Sequence, residues 1–240
     1  MTKRFRMIAG PNGSGKSTLK RHLERDYAVN FYDYLNADDI FAEVKKTGAY
    51  LPNFAIDGSL EAFASHSHYD LETVKFFTSH EIMVESDCVR FLNPAAINSY
   101  TIALLTAFLQ EESIRQGRSC SQETVFSHPS KVEALRYART CGYRTYLYFV
   151  ATDSPQINLS RVANRASSGG HTVPDEKVIS RYERSLLNLP EALHFLSRAY
   201  FFDNSGDEMR YLAEWNEEAG FKPTMASSEL PKWFQRFAMA

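Results

Sequence analysis

The sequence contains only three cysteines, Cys88, Cys120 and Cys141, and no two of them form a Cys-x-x-Cys pair. A small, odd number of isolated cysteines argues against a disulfide framework and is typical of a reducing compartment. Long apolar runs are also missing, because no stretch approaches the roughly 18 uncharged apolar residues that a membrane-spanning helix needs. The first apolar run ends at Gly10, too early for a signal peptide. These absences predict a soluble, cytoplasmic protein with no membrane partner.

An excess of charge of either sign is absent as well. The sequence has 27 lysines and arginines against 29 aspartates and glutamates, which leaves a net charge of −2. Proteins that bind nucleic acid mainly through its phosphates carry a basic surface. The balance therefore argues against a nucleic-acid partner and against the polynucleotide kinases as a class.

One motif is complete. Residues 10–17 match the phosphate-binding pattern G-x-x-x-x-G-K-[ST] at every position. An apolar strand is predicted before it, over residues 5–9, and a helix after it, with Leu19 and Leu23 on one face. Glycines let backbone N–H groups turn toward phosphate oxygens, and the helix adds its positive end. The pattern predicts an ATP site formed by Gly10, Pro11, Asn12, Gly13, Ser14, Gly15, Lys16, Ser17 and Thr18.

Two side chains of this motif have specific tasks in the pattern. Lys16 is expected to reach the β- and γ-phosphates, and the Ser17 hydroxyl is expected to bind Mg²⁺. ATP and Mg²⁺ are therefore the predicted cofactors.

The rest of the chain predicts the fold class. Strand–helix alternation with a glycine loop after the first strand indicates a three-layer α/β/α P-loop NTPase fold with a mostly parallel sheet. At about 1.6 times a typical domain length, the chain suits a single domain over residues 1–240. Residues of about 50–98 are interpreted as a helical insertion after the second strand, and about 206–240 as a C-terminal extension. The strands are predicted over residues 5–9, 31–35, 121–126, 146–150 and 199–202.

Other classes of P-loop protein lack support in the sequence. A GTPase normally carries an Asn-Lys-x-Asp motif, and none is present. An ABC-type ATPase needs Leu-Ser-Gly-Gly-Gln before its Walker B strand, whereas the nearest string, residues 167–171, ends in histidine and follows the long apolar strand. These absences leave the small-molecule kinases.

A pair of carboxylates favours a kinase. Asp38 and Asp39 follow the second predicted strand, and ligands of parallel α/β sheets bind at the carboxyl ends of the strands. A carboxylate there can accept the proton of an attacking hydroxyl. The alternative is that the two acids only cap the next helix. Both roles could be split between the two residues, and we favour Asp38 as the base and Asp39 as a residue of the helix's first turn, of the substrate site or of the metal's water shell.

Four arginines flank Gly169 and Gly170. Arginine forks match phosphate oxygens, and the glycines would let such a segment close over ATP as a lid. Arg165 is the candidate for stabilising the transferred phosphoryl group and Arg161 for contacting ATP. For any one arginine, a solvated helix face with Glu183 as ion-pair partner is an equal alternative. The four arginines are Arg161, Arg165, Arg181 and Arg184.

In their order along the chain, these motifs resemble the zeta-toxin family of P-loop kinases. The resemblance spans residues 5–205 but skips about 50–98. It implies a fold similar to nucleoside and shikimate-type kinases and ATP·Mg²⁺-dependent phosphorylation of a sugar hydroxyl, in the best-known members the 3′-hydroxyl of UDP-N-acetylglucosamine. It also implies a toxin with an antitoxin partner. The matching residues are 8–18, 36–40, 123–124, 161–165, 169–174, 181–182 and 203–205.

By motif position, Asp38 matches the catalytic aspartate of that family, and Glu123, with Thr124 beside it, matches a substrate-contacting glutamate. Arg165 falls near a lid arginine. His171 stands where the best-known members carry a second lid arginine, and it would donate to phosphate or fix the loop. Residues 50–98 have no counterpart in the family, so they could reshape the acceptor pocket.

Two other functions remain open on the sequence. The chain could be a kinase of the same architecture that acts on another small hydroxyl compound. It could also be a nucleotide-gated interaction module or ATPase, with residues 50–98 as its partner surface. Two further interpretations are minor: His66, His68 and His80 are not favoured as a metal site, and residues 231–234 are expected to cover apolar surface.

Overall fold

The computed structural model describes residues 2–66, 74, 75, 77, 79, 81–167 and 173–238. The strands are β1 Arg4–Ala9, β2 Asp33–Asn36, β3 Ala49–Tyr50, β4 Ile82–Val84, β5 Val89–Phe91, β6 Cys120–Thr124, β7 Arg144–Ala151, β8 Arg198–Asp203, β9 Arg210–Asn216 and β10 Gly220–Pro223. The helices are α1 Lys16–Tyr27, α2 Ala37–Thr47, α3 Leu60–His66, α4 Ser99–Arg115, α5 Ser130–Thr140, α6 Pro155–Ser167, α7 Asp175–Leu187, α8 Leu189–Leu193 and α9 Lys232–Phe237.

The chain divides into two compact units. The first unit comprises Met1–Phe31 and Glu123–Ala240, and the second comprises Tyr32–Gln122. The stretch 50–98 lies within the second unit. The expectation of a single domain over residues 1–240 stays a prediction.

The first unit is built on a sheet in the strand order β10-β9-β8-β7-β1. β7 pairs in parallel with β1 on one side and with β8 on the other, while β9 and β10 continue the sheet antiparallel. β7 is buried from Thr145 to Ala151, as its unbroken apolar run predicts. The α/β class with a mostly parallel sheet is confirmed.

The C-terminal segment packs on this sheet. Trp233 and Phe234 of α9 are buried, and their ring centroids lie 5.9 Å from that of Phe149 and 5.1 Å from that of Phe201, respectively. The prediction that residues 231–234 cover apolar surface is confirmed. Nothing in the sequence pattern predicted β9 and β10, because β9 mixes charged and apolar residues without strict alternation and β10 has only four residues.

The second unit contains β2 beside β6, packed with α2 and α4, and a separate antiparallel sheet in the order β3-β5-β4. The interpretation of residues 50–98 as helices and loops is therefore wrong for the strands β3, β4 and β5. These strands have only two or three residues each, too few for an alternating pattern to be recognised.

Two predicted strand boundaries shift for backbone reasons. β2 begins at Asp33 rather than at residue 31, because Tyr32 has φ 54° and cannot continue an extended strand. β6 ends at Thr124 rather than at residue 126, because Phe126 has φ 67°. Over the described part of the chain, no helix reaches the length and hydropathy needed to cross a bilayer.

Candidate functional site

The loop between β1 and α1 has the backbone that its sequence predicts. Gly10 and Gly15 have φ of 149° and 98°, values that side-chain-bearing residues rarely adopt. A Cβ on Gly10 would collide with the carbonyl oxygen of Val150, so the loop lies directly against the end of β7. Gly15 caps α1 without a side-chain hydrogen bond, and the first turn of α1 contains no acidic residue. The positive end of α1 is therefore not neutralised by acids of its own first turn.

Side chains hold three carbonyl groups of this loop. Lys16 Nζ donates to the Pro11 carbonyl at 3.1 Å. Asn204 Nδ2 donates to the Ser14 carbonyl at 2.8 Å, and Asn158 Nδ2 donates to the Asn12 carbonyl. Lys16 thus lies across the loop that it belongs to.

Two polar atoms at the loop are buried without a hydrogen-bond partner among the described residues. They are Ser14 Oγ and Asn12 Oδ1, and Ser14 is fully buried. Burial of a polar atom is costly unless it is bonded, so atoms of this kind suit a polar ligand. The loop, its glycines and these atoms fit a bound phosphate chain.

Glu123 lies beside the Ser17 hydroxyl. The hydroxyl is 3.2 and 3.3 Å from the two carboxylate oxygens and donates to them. A hydroxyl and a carboxylate at this spacing are hard oxygen ligands of the kind that Mg²⁺ takes together with phosphate oxygens. The residues present therefore fit a magnesium ion, and the contact of Glu123 with the phosphate-binding loop was not predicted from the sequence.

Thr124, the other predicted substrate residue of this strand, is used in a turn. Its hydroxyl oxygen accepts a hydrogen bond from the Phe126 N–H at 3.2 Å, at the point where Phe126 takes its positive φ. The threonine therefore shapes the chain directly after Glu123.

In the second unit, Asp38 and Asp39 lie in the first turn of α2, and both are exposed. The helix cap is Asn36, whose Oδ1 accepts a hydrogen bond from the Asp38 N–H at 3.0 Å. The alternative that one of the two acids caps this helix is therefore not what the structure contains.

Burial raises the pKa of Tyr50 to about 12, with Glu43, Asp33 and Asp39 adding to the effect.

The arginines of the predicted lid differ in their surroundings. Arg161 is half-buried and donates to the carbonyls of Asn204, at 2.7 Å, and Gly206, at 3.3 Å. Arg165 is exposed near the end of α6. Arg181 is half-buried and Arg184 donates to the Ser180 carbonyl. Arg161 thus supports the segment after β8, on which Asn204 lies.

Several predicted residues lie outside the described part of the chain: Gly169, Gly170 and His171 of the lid, and two of the grouped histidines, His68 and His80. The described residues contain no group of three or more histidine, cysteine, aspartate or glutamate side chains placed to hold a metal ion.

The carboxylate of Asp203, at the end of β8, is almost fully buried. It accepts hydrogen bonds from the Ser205 hydroxyl at 2.7 Å and from Trp233 Nε1 at 3.2 Å, and it pairs with Arg210 at 3.2 Å. Burial, with Asp203 nearby, raises the pKa of Asp153. Through these contacts, Asp203 joins the C-terminal helix to the end of β8, directly before Asn204.

Known proteins that are similar to this chain support the fold described above. A family model described as an AAA domain matches residues 6–189. A protein of Haemophilus influenzae, described as uncharacterized, is 29% identical over 70 residues, which are 29% of this chain and 50% of that one.

Among solved structures, the complex of AvrRxo1-ORF1 with AvrRxo1-ORF2 and sulphate ions aligns with a TM-score of 0.56 and 15% identity, over 99% of this chain and 64% of that chain. The same complex with ATP aligns with a TM-score of 0.56 and 16% identity, over the same shares. The chain thus spans about half the length of the curated relative and less than two thirds of the AvrRxo1 chain. At these identities the likeness shows a shared fold, a three-layer α/β fold of the P-loop NTPase type.

Proposed function

Because this chain belongs to the AAA domain family and carries a complete phosphate-binding loop, we propose that it is an ATP-dependent phosphotransferase. We propose a phosphotransferase of the zeta-toxin type. The proposed acceptor of the phosphoryl group is a sugar hydroxyl of a UDP-activated amino sugar such as UDP-N-acetylglucosamine. The observation that carries the proposal is the loop at residues 10–17, with its buried, unpartnered Ser14 hydroxyl oxygen in the described structure. The acceptor rests on the ordered resemblance of the motifs.

In this proposal the loop backbone and Thr18 bind the phosphates of ATP, and Lys16 moves from the Pro11 carbonyl to the β- and γ-phosphates. Arg161 contacts the nucleotide from α6. Mg²⁺, when bound by Ser17, would neutralise charge on the β- and γ-phosphates. The crystallisation of the AvrRxo1 complex with ATP supports a nucleotide on this fold.

The proposed chemical roles belong to residues outside the phosphate-binding loop. Asp38 accepts the proton of the attacking sugar hydroxyl, and Arg165 stabilises the transferred phosphoryl group. Asp39, Glu123, Thr124 and His171 are the proposed residues of the acceptor site. Asp38 is suited to its role because Asn36 caps α2, so the carboxylate is not required by the helix.

A protein partner is also proposed. The resemblance to zeta toxins implies an antitoxin, and the AvrRxo1-ORF1 structures contain a second chain, AvrRxo1-ORF2. We therefore propose that this chain acts as a toxin that a partner protein neutralises.

The proposed function is tested by incubating the purified chain with ATP and Mg²⁺ and a panel of UDP-sugars and nucleosides, followed by mass spectrometry. We expect one UDP-amino sugar to gain the mass of one phosphoryl group, and the Lys16→Ala variant to form no such product. A phosphorylated product from another compound would correct the acceptor. ATP binding or hydrolysis without any phosphorylated small molecule would contradict the phosphotransferase and favour the interaction module.

The contact between Glu123 and Ser17 separates two roles for this glutamate. If Glu123 acts beside the metal, Glu123→Gln should raise the Mg²⁺ concentration for half-maximal rate about tenfold, as the loss of outer-shell partners does elsewhere. The KM for the sugar should then change little. Glu133→Gln, which removes a carboxylate paired with Arg136 on α5, is the matched control. A higher sugar KM at unchanged Mg²⁺ dependence would instead place Glu123 on the acceptor, as the resemblance implies.

A further inference from the structure

Two amide side chains of the first unit reach the phosphate-binding loop from distant parts of the chain. Asn158 lies on α6 and donates from Nδ2 to the Asn12 carbonyl. Asn204 follows β8 and donates from Nδ2 to the Ser14 carbonyl at 2.8 Å. The two bonds therefore hold alternate peptide units of the loop.

Holding these carbonyls fixes the N–H groups that follow them. In a trans peptide unit the C=O and the next N–H point in opposite directions, and the described chain contains no cis peptide bond. The Gly13 N–H must therefore point away from Asn158, and the Gly15 N–H away from Asn204. Backbone N–H groups that point to the same side of a loop in this way donate hydrogen bonds to phosphate oxygens.

The glycines of the motif are fitted to the two asparagines. Gly13 and Gly15 have φ of 76° and 98°. A Cβ on Gly13 would lie 2.7 Å from the Asn158 carbonyl oxygen, and a Cβ on Gly15 would collide with Asn204 Nδ2. The close approach of each asparagine therefore depends on the glycine that faces it.

The orientation of Asn158 is itself fixed. The Thr152 hydroxyl donates to Asn158 Oδ1, which leaves Nδ2 to face the loop, and both residues are fully buried. The Tyr182 hydroxyl of α7 donates to the Thr152 carbonyl. The ordinary pKa of tyrosine already keeps this hydroxyl protonated at neutral pH, and burial raises the pKa of Tyr182 further.

Asn204 is held in a similar way from its backbone. Its N–H donates to the Ala151 carbonyl at 2.8 Å, and its carbonyl accepts from Arg161 at 2.7 Å. These two side chains thus connect the loop to three parts of the first unit: the end of β7, α6 and the segment after β8.

We propose that Asn158 and Asn204 are positioning residues that hold the loop in its anion-binding conformation before the nucleotide arrives. Binding to a loop that is already ordered avoids the free-energy cost of ordering it in the complex. The inference rests on the proposed function, because it concerns nucleotide binding at the same loop.

The test is calorimetric titration of the full chain with ATP and Mg²⁺. Asn158→Ala and Asn204→Ala should each bind ATP about tenfold more weakly than the wild type, the effect expected for a lost buried hydrogen bond. Asn188→Ala is the matched control, because its amide donates to the Phe126 carbonyl at 2.8 Å and not to a carbonyl of the loop. It should bind ATP as the wild type does.

A conservative pair separates positioning from general stability. Thr152→Val removes the hydroxyl that orients Asn158 and should weaken ATP binding, while Thr152→Ser keeps the hydroxyl and should restore it. A merely structural role would lower the Tm of these variants and leave the ATP affinity of the folded protein unchanged.

Two results would overturn the inference: ATP affinities of Asn158→Ala and Asn204→Ala within about twofold of the wild type, or an equal loss in Asn188→Ala. Failure of the wild type itself to bind ATP would refute the proposed function, and the inference with it. ATP binding without phosphoryl transfer would refute only the proposed reaction.

Discussion

Replacement of Lys16 by alanine is expected to lower kcat/KM for phosphoryl transfer by about 10²–10³-fold or more, the loss seen when a fixed electrostatic contact to a reacting group is removed. Lys16 is the cationic side chain of the phosphate-binding loop itself, and its Nζ lies 3.1 Å from the Pro11 carbonyl at the loop's other end. The loss of activity is measured as the rate at which the phosphorylated product forms. ATP affinity is measured beside it by calorimetry.

Lys20→Ala provides the control for Lys16→Ala. Lys20 lies on the same helix, four residues further on, and pairs with Glu24 at 2.7 Å. Both variants remove one positive charge from α1, so a general electrostatic effect would appear in both. An activity of Lys16→Ala within about twofold of the wild type, or an equal loss in Lys20→Ala, would contradict the specific role of Lys16 in the mechanism.

The parts of the fold that the sequence predicted are those with a strong local pattern. β7 is an unbroken apolar run, and the helix after it begins with Pro155 as the proline preference for helix starts indicates. α2 ends at Gly48, which has φ 76° and closes the helix in the left-handed region. In each case the residues that decide the element are contiguous.

One missed pair of strands joins residues that are far apart in the sequence. β3 pairs with β5 across about forty positions, Ala49 opposite Arg90, and neither strand is long enough to show a pattern alone. The hairpin of β9 and β10 is local, and it was missed because β9 mixes charged and apolar residues without strict alternation and β10 has only four residues. Short strands of this kind become visible only when their partners are known.

The candidate site divides in the same way. The loop at residues 10–17 could be predicted because its chemistry lies in one continuous motif. Asn158 and Asn204 could not, because they are 146 and 190 positions from the carbonyls they hold. One signal was present: Asn158 falls four residues before the buried Val162 on the inner face of α6. A buried amide side chain on an apolar helix face needs hydrogen-bond partners. An asparagine at such a position therefore indicates that polar groups lie close to it in the fold.

Replacement of Asp38 by asparagine is expected to lower kcat by about 10²–10⁴-fold, the usual contribution of a general base. ATP affinity should remain that of the wild type, because the proposed nucleotide contacts belong to the loop and to Arg161 of α6, and none of them belongs to α2. The variant should also fold normally, since Asp38 is exposed and the cap of α2 is the Asn36 side chain, bonded to the backbone N–H of residue 38. Single-turnover transfer to the identified acceptor, with calorimetric ATP binding beside it, measures both quantities.

Asp39→Asn is the matched control, because it makes the same change one residue further along the same helical turn, at a side chain that is also exposed. Loss in Asp38→Asn alone assigns the base to Asp38. Loss in Asp39→Asn alone would transfer that role to its neighbour, and full activity in both would mean that the acceptor hydroxyl loses its proton without help from this pair. An asparagine keeps the size and hydrogen-bonding ability of the aspartate but cannot take up a proton at neutral pH. The difference between the two variants therefore reports proton transfer and not the shape of the site.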